Sequence, residues 1–325
     1  MGYLETHIPN KPFIRKVIDK IKNRRLYGFY TDAAAKIGVG RELVFMADGR
    51  MRHGGLSDRL CGIVSTYNYA KQNNLKFRIY FVRPYRLQDI LLPATSDWTI
   101  DEKELSYNVE EAIPIYISHQ LKYKDVEKYF HNKLLKHHGQ QIHLYTNARY
   151  FKEGDFAGLF AELFKPAPML QAMIDENMNR IPKGYVSLTF RFQQLLGDFK
   201  EDGFPTLETE EKKEQLMEKC LKCVEYVKKK TDRSVLITSD SKTFLARAEA
   251  KENVYTIPGT IRHMEYTQGK ADIAVDMKSY VDFYMLANAD TIYLCNIRPL
   301  YHSGFPKTAS RVYNKPYVEI LEKDI

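Results

Sequence analysis

The apolar run Leu43–Ala47 empties into Asp48-Gly-Arg-Met-Arg-His-Gly-Gly and then into a helical pattern. A strand, a glycine-rich turn and a helix form the repeating unit of an α/β fold, so this segment restricts the fold class more than any other. Its turn is also where such folds hold anions. Gly54 and Gly55 are expected to take positive φ and let a ligand approach the backbone. Ser57 or Asp58 is expected to cap the helix, whose free N–H groups attract a phosphate, with Arg59 in the first turn. The same pattern occurs in α/β units without a ligand, so it needs further anchors.

Two more loops of this kind follow. The strand-like residues 184–190 lead into Arg191, with Asp198, Glu201 and Asp202 just beyond. Residues 282–290 read as a helix leading to a strand over 291–295, and Tyr301-His-Ser-Gly-Phe-Pro-Lys then opens another helix.

Between these anchors the pattern stays α/β. Strands are expected at 77–82, 113–117, 142–145, 185–190, 235–238, 254–257 and 291–295. Helices are expected at 122–138, 169–178, 208–230, 243–250 and 277–289. Strands separated by helices imply mostly parallel sheets with ligands at the carboxyl ends of the strands. A chain of 325 residues with 44% hydrophobic content supports two domains, at roughly 100–200 residues each. The prolines at 166, 168 and 182 suggest domains 1–165 and 166–325.

Several function classes recede. No apolar run approaches the roughly 20 residues that span a bilayer, and the N-terminus lacks the apolar core of a signal peptide, so a cytoplasmic location is expected. Four cysteines in irregular positions do not form a disulfide framework, and Cys220 and Cys223 fall at helical spacing on an apolar face. The adjacent His137 and His138 point in different directions on a helix, which argues against a metal pair. Gly38-Val-Gly40 precedes its strand and lacks the third glycine of a dinucleotide fingerprint.

The net charge of +8 favours an anionic partner, yet no nucleic-acid module is present. Residues 11–25 place Ile14, Val17, Ile18 and Ile21 on one helical face among basic side chains. Such a helix suits either the anionic inner face of a membrane or the protein's own core.

Four blocks, in order, carry a resemblance. Gly-Gly-Leu-Ser-Asp-Arg-Leu at 54–60 is similar to the Gly-Gly-Leu-Gly-Asn-Arg-Leu signature of the GDP-fucose-dependent fucosyltransferase superfamily. Thr189-Phe-Arg-Phe192 with Gly197-Asp198 resembles its His-x-Arg-x-Gly-Asp block. Ile237-Thr-Ser-Asp240 resembles its Thr-Asp-Asp block, and Ser303-Gly-Phe305 with Ala309 resembles its closing Ser-x-Phe-Ser-x-x-Ala block. The superfamily holds α1,2- and α1,6-fucosyltransferases and protein O-fucosyltransferases, and the chain looks like a bacterial member. The departures are Thr189 for His, Phe192 for a basic residue, Asp58 for Asn and Pro306 for Ser.

The resemblance implies a GT-B-like fold, with two Rossmann-like domains facing a central cleft, the first for the acceptor and the second for the nucleotide sugar. It implies an inverting transfer of fucose or a related deoxy sugar from its GDP-linked form to a glycan or lipid-linked saccharide, as in polysaccharide biosynthesis. No metal or other cofactor is expected, since the chain has no Asp-x-Asp triplet to hold a divalent ion against the diphosphate.

In that scheme Arg191 forks onto the departing diphosphate. Gly54, Gly55, Arg59, Ser303, Gly304 and Phe305 add donors, and Asp240 and Asp282 serve the nucleotide, although Asp240 equally suits the cap of the helix that follows it. Asp198 is the first choice for the base that takes the acceptor's proton, with Glu201, Asp48 and Asp58 as alternatives and His53 in support. The alternative reading is an inactive nucleotide-sugar or polyanion binding protein on the same scaffold, which the changed Thr189 and Phe192 favour.

Overall fold

The protein, seen here as a computed structural model, is described at residues 12–30, 40–51, 53–117, 141–146, 155–199, 204–261 and 273–325, and at 128, 130–132 and 134. The chain divides into two compact units, Ile8–Ala167 and Pro168–Ile325.

The first unit starts with helix α1 (Pro12–Tyr27), then β1 (Glu42–Ala47), α2 (Leu56–Gln72), β2 (Lys76–Phe81), β3 (Leu91–Pro93), β4 (Ala112–Tyr116) and β5 (Gln141–Tyr145). Helix α3 (Phe156–Leu163) and β6 (Phe164–Pro166) follow among the described residues. Its main sheet has the order β2-β1-β5-β4 with every pairing parallel, and β3 pairs antiparallel with β6. All six residues of β1 and all five of β5 are buried, as expected of central strands covered on both faces. The short β3–β6 ribbon was not anticipated, because runs of three residues carry no periodicity to read, and neither was the eight-residue α3.

The second unit contains α4 (Pro168–Arg180), β7 (Val186–Phe190), α5 (Glu210–Lys230), β8 (Val235–Ser239), α6 (Lys242–Glu249) and β9 (Val254–Thr256). It continues with α7 (Ile273–Asn288), β10 (Ile292–Cys295), α8 (Phe305–Val312) and β11 (Tyr317–Ile320). The sheet order is β11-β10-β7-β8-β9, all parallel. Helix α5 shows why this segment folds locally. Thr209 caps it by accepting from the Lys212 N–H, glutamates fill its first turn and Lys228, Lys229 and Lys230 its last, complementing the helix dipole.

The apolar face of α5, Leu216 to Val227, packs on β7 and β8. Cys220 and Cys223 lie on it as core residues, and Cys223 Sγ stands 3.3 Å from Cys295 Sγ. In α1, Ile21 of the expected apolar stripe is 58% exposed, while Lys22 lies over the Tyr116 ring. The expected helix 122–138 and its histidine pair lie largely outside the described residues. No helix of the described residues is long and apolar enough to cross a membrane.

Candidate functional site

In the second unit the chain leaves β7 for β8 and β9 on one side, then returns to place β10 and β11 on the other. The strand order therefore reverses beside β7. In open parallel sheets, ligands bind at such a reversal, outside the carboxyl ends of the strands. Arg191 follows the last residue of β7, Asp240 the last residue of β8, and residues 296–304 connect β10 to α8.

The three come together. Arg191 Nη1 donates to Asp240 Oδ2 at 2.8 Å. The N–H groups of Phe192 and Gln193 donate to Asp240 Oδ1 and Oδ2 at 2.8 and 2.7 Å. The Arg191 carbonyl accepts from the Tyr301 N–H at 3.0 Å, which ties the β10–α8 loop to the same turn. The guanidinium carbon lies 5.0 Å from the centre of the Phe199 ring, and the side chain keeps 19% of its surface exposed against 2% for Asp240. Burial pushes the Asp240 carboxyl upward, opposed by Arg191 and the two backbone donors. Asp240 thus acts as the buttress of the Arg191 turn, with its oxygens given to protein donors.

Ser303 and Gly304 stand at the start of α8 with Gly304 at the N-cap, and no side chain caps the helix. A Cβ built on Gly304 meets nothing within 4 Å. The Phe305 N–H donates to Ser303 Oγ at 3.2 Å and Pro306 has no N–H, so the loop offers fewer free donors than its sequence promises.

Asp198 sits one residue after Gly197, which adopts φ +81°. Its Oδ2 accepts from Ser241 Oγ at 2.7 Å and from the Thr243 N–H at 2.8 Å, while Ser241 Oγ accepts from Phe244 N–H. Asp198 therefore caps α6 together with Ser241. Glu201 lies outside the described residues. Asp282 lies inside α7, not at a helix start, buried against Lys278 Nζ at 2.6 Å. Burial raises its carboxyl and Lys278 opposes the rise.

Two departures in the sequence blocks have a packing reason. Thr189 Oγ1 bonds Thr238 Oγ1 at 2.9 Å inside the sheet, and Phe192 packs on Phe190 and Phe244 in the core.

The glycine turn of the first unit differs in detail from the expectation. Gly55 is itself the N-cap of α2 with φ −74°, and neither Ser57 nor Asp58 caps the helix; Asp58 lies in its first turn. The left-handed glycine of this segment is Gly49, at φ +89°, not Gly54 or Gly55. A Cβ on Gly55 meets nothing within 4 Å, so the backbone is open above the helix start. Arg59 is buried, with Nε donating to the Gly54 carbonyl at 3.2 Å and Nη1 to the Arg83 carbonyl at 3.0 Å, which ties the turn to the end of β2.

His53 is buried too, with Nδ1 3.2 Å from the Thr146 carbonyl. Burial, aided by Arg59, lowers its pKa to about 3. A neutral ring that donates from Nδ1 presents a lone pair at Nε2, which accepts a hydroxyl proton and cannot donate to a phosphate.

Tyr301 and Phe199 were missed by sequence reasoning. Tyr301 acts through its backbone, which leaves no trace in residue type, whereas an aromatic residue soon after a strand-end arginine is a weak but readable signal for Phe199. Among the described residues no cluster of three or more His, Cys, Asp or Glu side chains is arranged around a metal position.

No protein-family profile matches the chain, and no curated protein matches it by sequence. Solved structures do match. The chain shares its fold with the NodZ α-1,6-fucosyltransferase soaked with GDP-fucose, at a TM-score of 0.55 and 14% identity over 84% of this chain and 92% of that one. NodZ from Bradyrhizobium in its selenomethionine form superposes with a TM-score of 0.54 and 15% identity over 83% and 91%. POFUT1 in complex with GDP covers 87% of this chain and 99% of its own, at a TM-score of 0.51 and 10% identity. The α/β fold with mostly parallel sheets is that of these GT-B fucosyltransferases. At such identities the likeness establishes the fold.

Proposed function

We propose that the protein is a glycosyltransferase that moves fucose, or a related deoxy sugar, from a GDP-linked donor to a saccharide hydroxyl. The observation that carries this reading is the buttressed Arg191 at the strand-order reversal of a sheet whose fold is shared with GDP-fucose transferases. The second unit binds the donor and the first serves the acceptor.

When the donor's C1–O bond breaks, its electron pair stays on the diphosphate. Arg191 stabilises that charge, held in orientation by Asp240 and Phe199. Ser303 and the open start of α8 add to the same anion site. The acceptor oxygen attacks C1 from the opposite face, which inverts the configuration, and its proton passes to a carboxylate. Asp198 takes that role through the oxygen not engaged at α6. Charge neutralisation by a guanidinium and helix donors makes a divalent ion unnecessary, and cytoplasmic GDP-sugar is the supply.

The second reading, binding without turnover, draws support from Thr189 and Phe192, which spend on packing two positions where the superfamily pattern has basic groups. Thermal unfolding against GDP, UDP, dTDP, CMP and ADP, with and without EDTA, tests the donor. A GDP-selective rise in Tm indifferent to EDTA, lost in Arg191→Ala, is expected. Release of free fucose or GDP from GDP-fucose then separates transferase from binder, and no shift with any nucleotide sinks the transferase reading and favours the inactive scaffold.

A further inference from the structure

A cleft of about 1140 Å³ opens in the first unit beside β2, bounded by the end of β1, the loop after β2 and residues 99–104. Small-molecule pockets run to roughly 300–1,000 Å³, so this one has room for an oligosaccharide. Arg50, Arg83 and Arg86 all line it.

Arg50 is held in place from behind. Its Nη1 donates to Asp48 Oδ2 and, at 2.8 Å, to the Tyr107 hydroxyl, and its backbone N–H donates to Asp48 Oδ1 at 3.0 Å. The guanidinium carbon lies 4.1 Å from the Tyr107 ring centre and 5.5 Å from that of Phe29. A guanidinium stacked on rings and paired at one edge still turns part of its planar fork outward. Arg50 is 28% exposed while Asp48 is 3% exposed.

A buried chain fixes Asp48 in turn. The Tyr145 hydroxyl donates to Asp48 Oδ2 at 3.0 Å and stands 3.2 Å from the Tyr30 hydroxyl, which is 2.6 Å from His143 Nδ1. His143 Nε2 lies 2.8 Å from Gln141 Oε1. Gln141 is oriented by the Ser106 N–H, which donates to Oε1, and by Glu42, which accepts from Nε2 at 2.7 Å. Because Gln141 presents its oxygen, His143 carries its proton on Nε2, and Nδ1 accepts from Tyr30. The proton of Tyr30 is then spent, and that of Tyr145 goes to Asp48. Each proton has one assignment: that of Tyr145 goes to the carboxylate that holds Arg50, that of Tyr30 goes to His143, and the two tyrosine oxygens lie side by side with no proton between them.

Arg83 and Arg86 are exposed and have no ion-pair partner among the described residues. On the 99–104 wall Asp101, Glu102 and Glu104 are all exposed, and Asp101 and Glu104 form a reciprocal helix cap. The cleft thus joins three guanidinium groups to an acidic wall. That mixture suits an isolated anionic group and repels a dense polyanion. Phe29, 42% exposed, offers a ring for the apolar face of a sugar.

We infer that this cleft binds an acidic saccharide, whose anionic substituent is taken by Arg50, Arg83 and Arg86, and that this saccharide is the acceptor. The acceptor role rests on the transferase reading; the binding does not. Calorimetric titration of the full chain with matched probes tests it: sialyllactose against lactose, oligogalacturonate against its methyl ester, a sulfated disaccharide against its unsulfated form, and inorganic phosphate alone.

At least one acidic member is expected to bind about tenfold tighter than its neutral partner, the scale of one charge-assisted contact. The carboxylate and sulfate arms tell which anion is preferred. The exposed double variant Arg83→Ala/Arg86→Ala is expected to lose that preference while keeping its Tm, and Arg50→Gln serves as a second variant. Equal binding of acidic and neutral partners, no acidic saccharide bound below millimolar concentration, phosphate binding as tightly as the saccharides, or a preference indifferent to all three arginines overturns the inference. GDP titrated into the same samples keeps the readings apart: failure of GDP to bind removes the donor reading alone, and displacement of the saccharide by GDP assigns the cleft to the nucleotide and overturns the inference.

Discussion

Arg191 and Asp240, 49 residues apart, form one unit at the ends of adjacent strands, because the carboxylate that pairs with the guanidinium at 2.8 Å also accepts the two N–H groups that follow it. Removing either partner therefore has different consequences. Arg191→Ala is expected to lower kcat on the order of 10²–10³, as for loss of one preorganised donor at a developing charge. Arg191→Lys rescues little of it, since an ammonium does not reproduce the planar fork. Asp240→Ala strands a nearly buried cation and two backbone donors, and is expected to cost about 3–5 kcal/mol of stability by urea denaturation.

The buried histidines make stability depend on pH. Burial holds His53 and His143 near a pKa of about 3 in the folded chain. In the unfolded chain they take up protons below about pH 6.5, so acidification favours unfolding between pH 6.5 and 3. Each is expected to cost roughly 2 kcal/mol at pH 5 relative to neutral pH. Urea titrations at pH 7.5, 6 and 5 check this, and His143→Gln is expected to flatten part of the slope.

Asp198 and Ser241 share one helix cap. Each alanine substitution is expected to cost about 1 kcal/mol, and the double variant less than the sum, because Ser241 Oγ donates to Asp198. Asp198→Asn keeps most of the cap. A kcat reduced by about 10²-fold or more with Tm unchanged supports its role as base, whereas unchanged kcat restricts it to the cap.

Gly304 tests the anion site without touching a charge. A Cβ there meets no atom within 4 Å, so Gly304→Val is expected to fold with a loss of about 1 kcal/mol, in line with an apolar N-cap. If a phosphate sits above the helix start, GDP affinity falls about tenfold or more, measured by calorimetry; unchanged affinity moves the diphosphate elsewhere.

Much of the scaffold was legible from residue order. The expected strands at 142–145 and 235–238 agree within a residue or so with β5 and β8, because fully buried parallel strands are short apolar runs between turn residues. Helix α5 announced itself by its apolar spacing. The helix start after Gly55 was read two or three residues late, since Ser57 and Asp58 look like caps while the glycine serves as the cap. In the candidate site, Arg191 at a strand end was visible. Its partner was not, because the protein donors that reach Asp240, Asp198 and Asp282 leave no mark in local sequence.

That division has a physical cause. Helix and strand are written in periodicities of a few residues, and a linear chain displays them directly. From these the alternation of elements, the parallel character of the sheets and the position of the turns followed. Tertiary structure alone decided which strand lies beside β7, that Tyr301 closes on Arg191, and that Asp48, Tyr145, Tyr30 and His143 line up behind Arg50. A carboxylate's role depends on which donors reach it, and those donors arrive from segments tens of residues away, brought by burial of apolar surface that specifies proximity without naming the polar partners it creates.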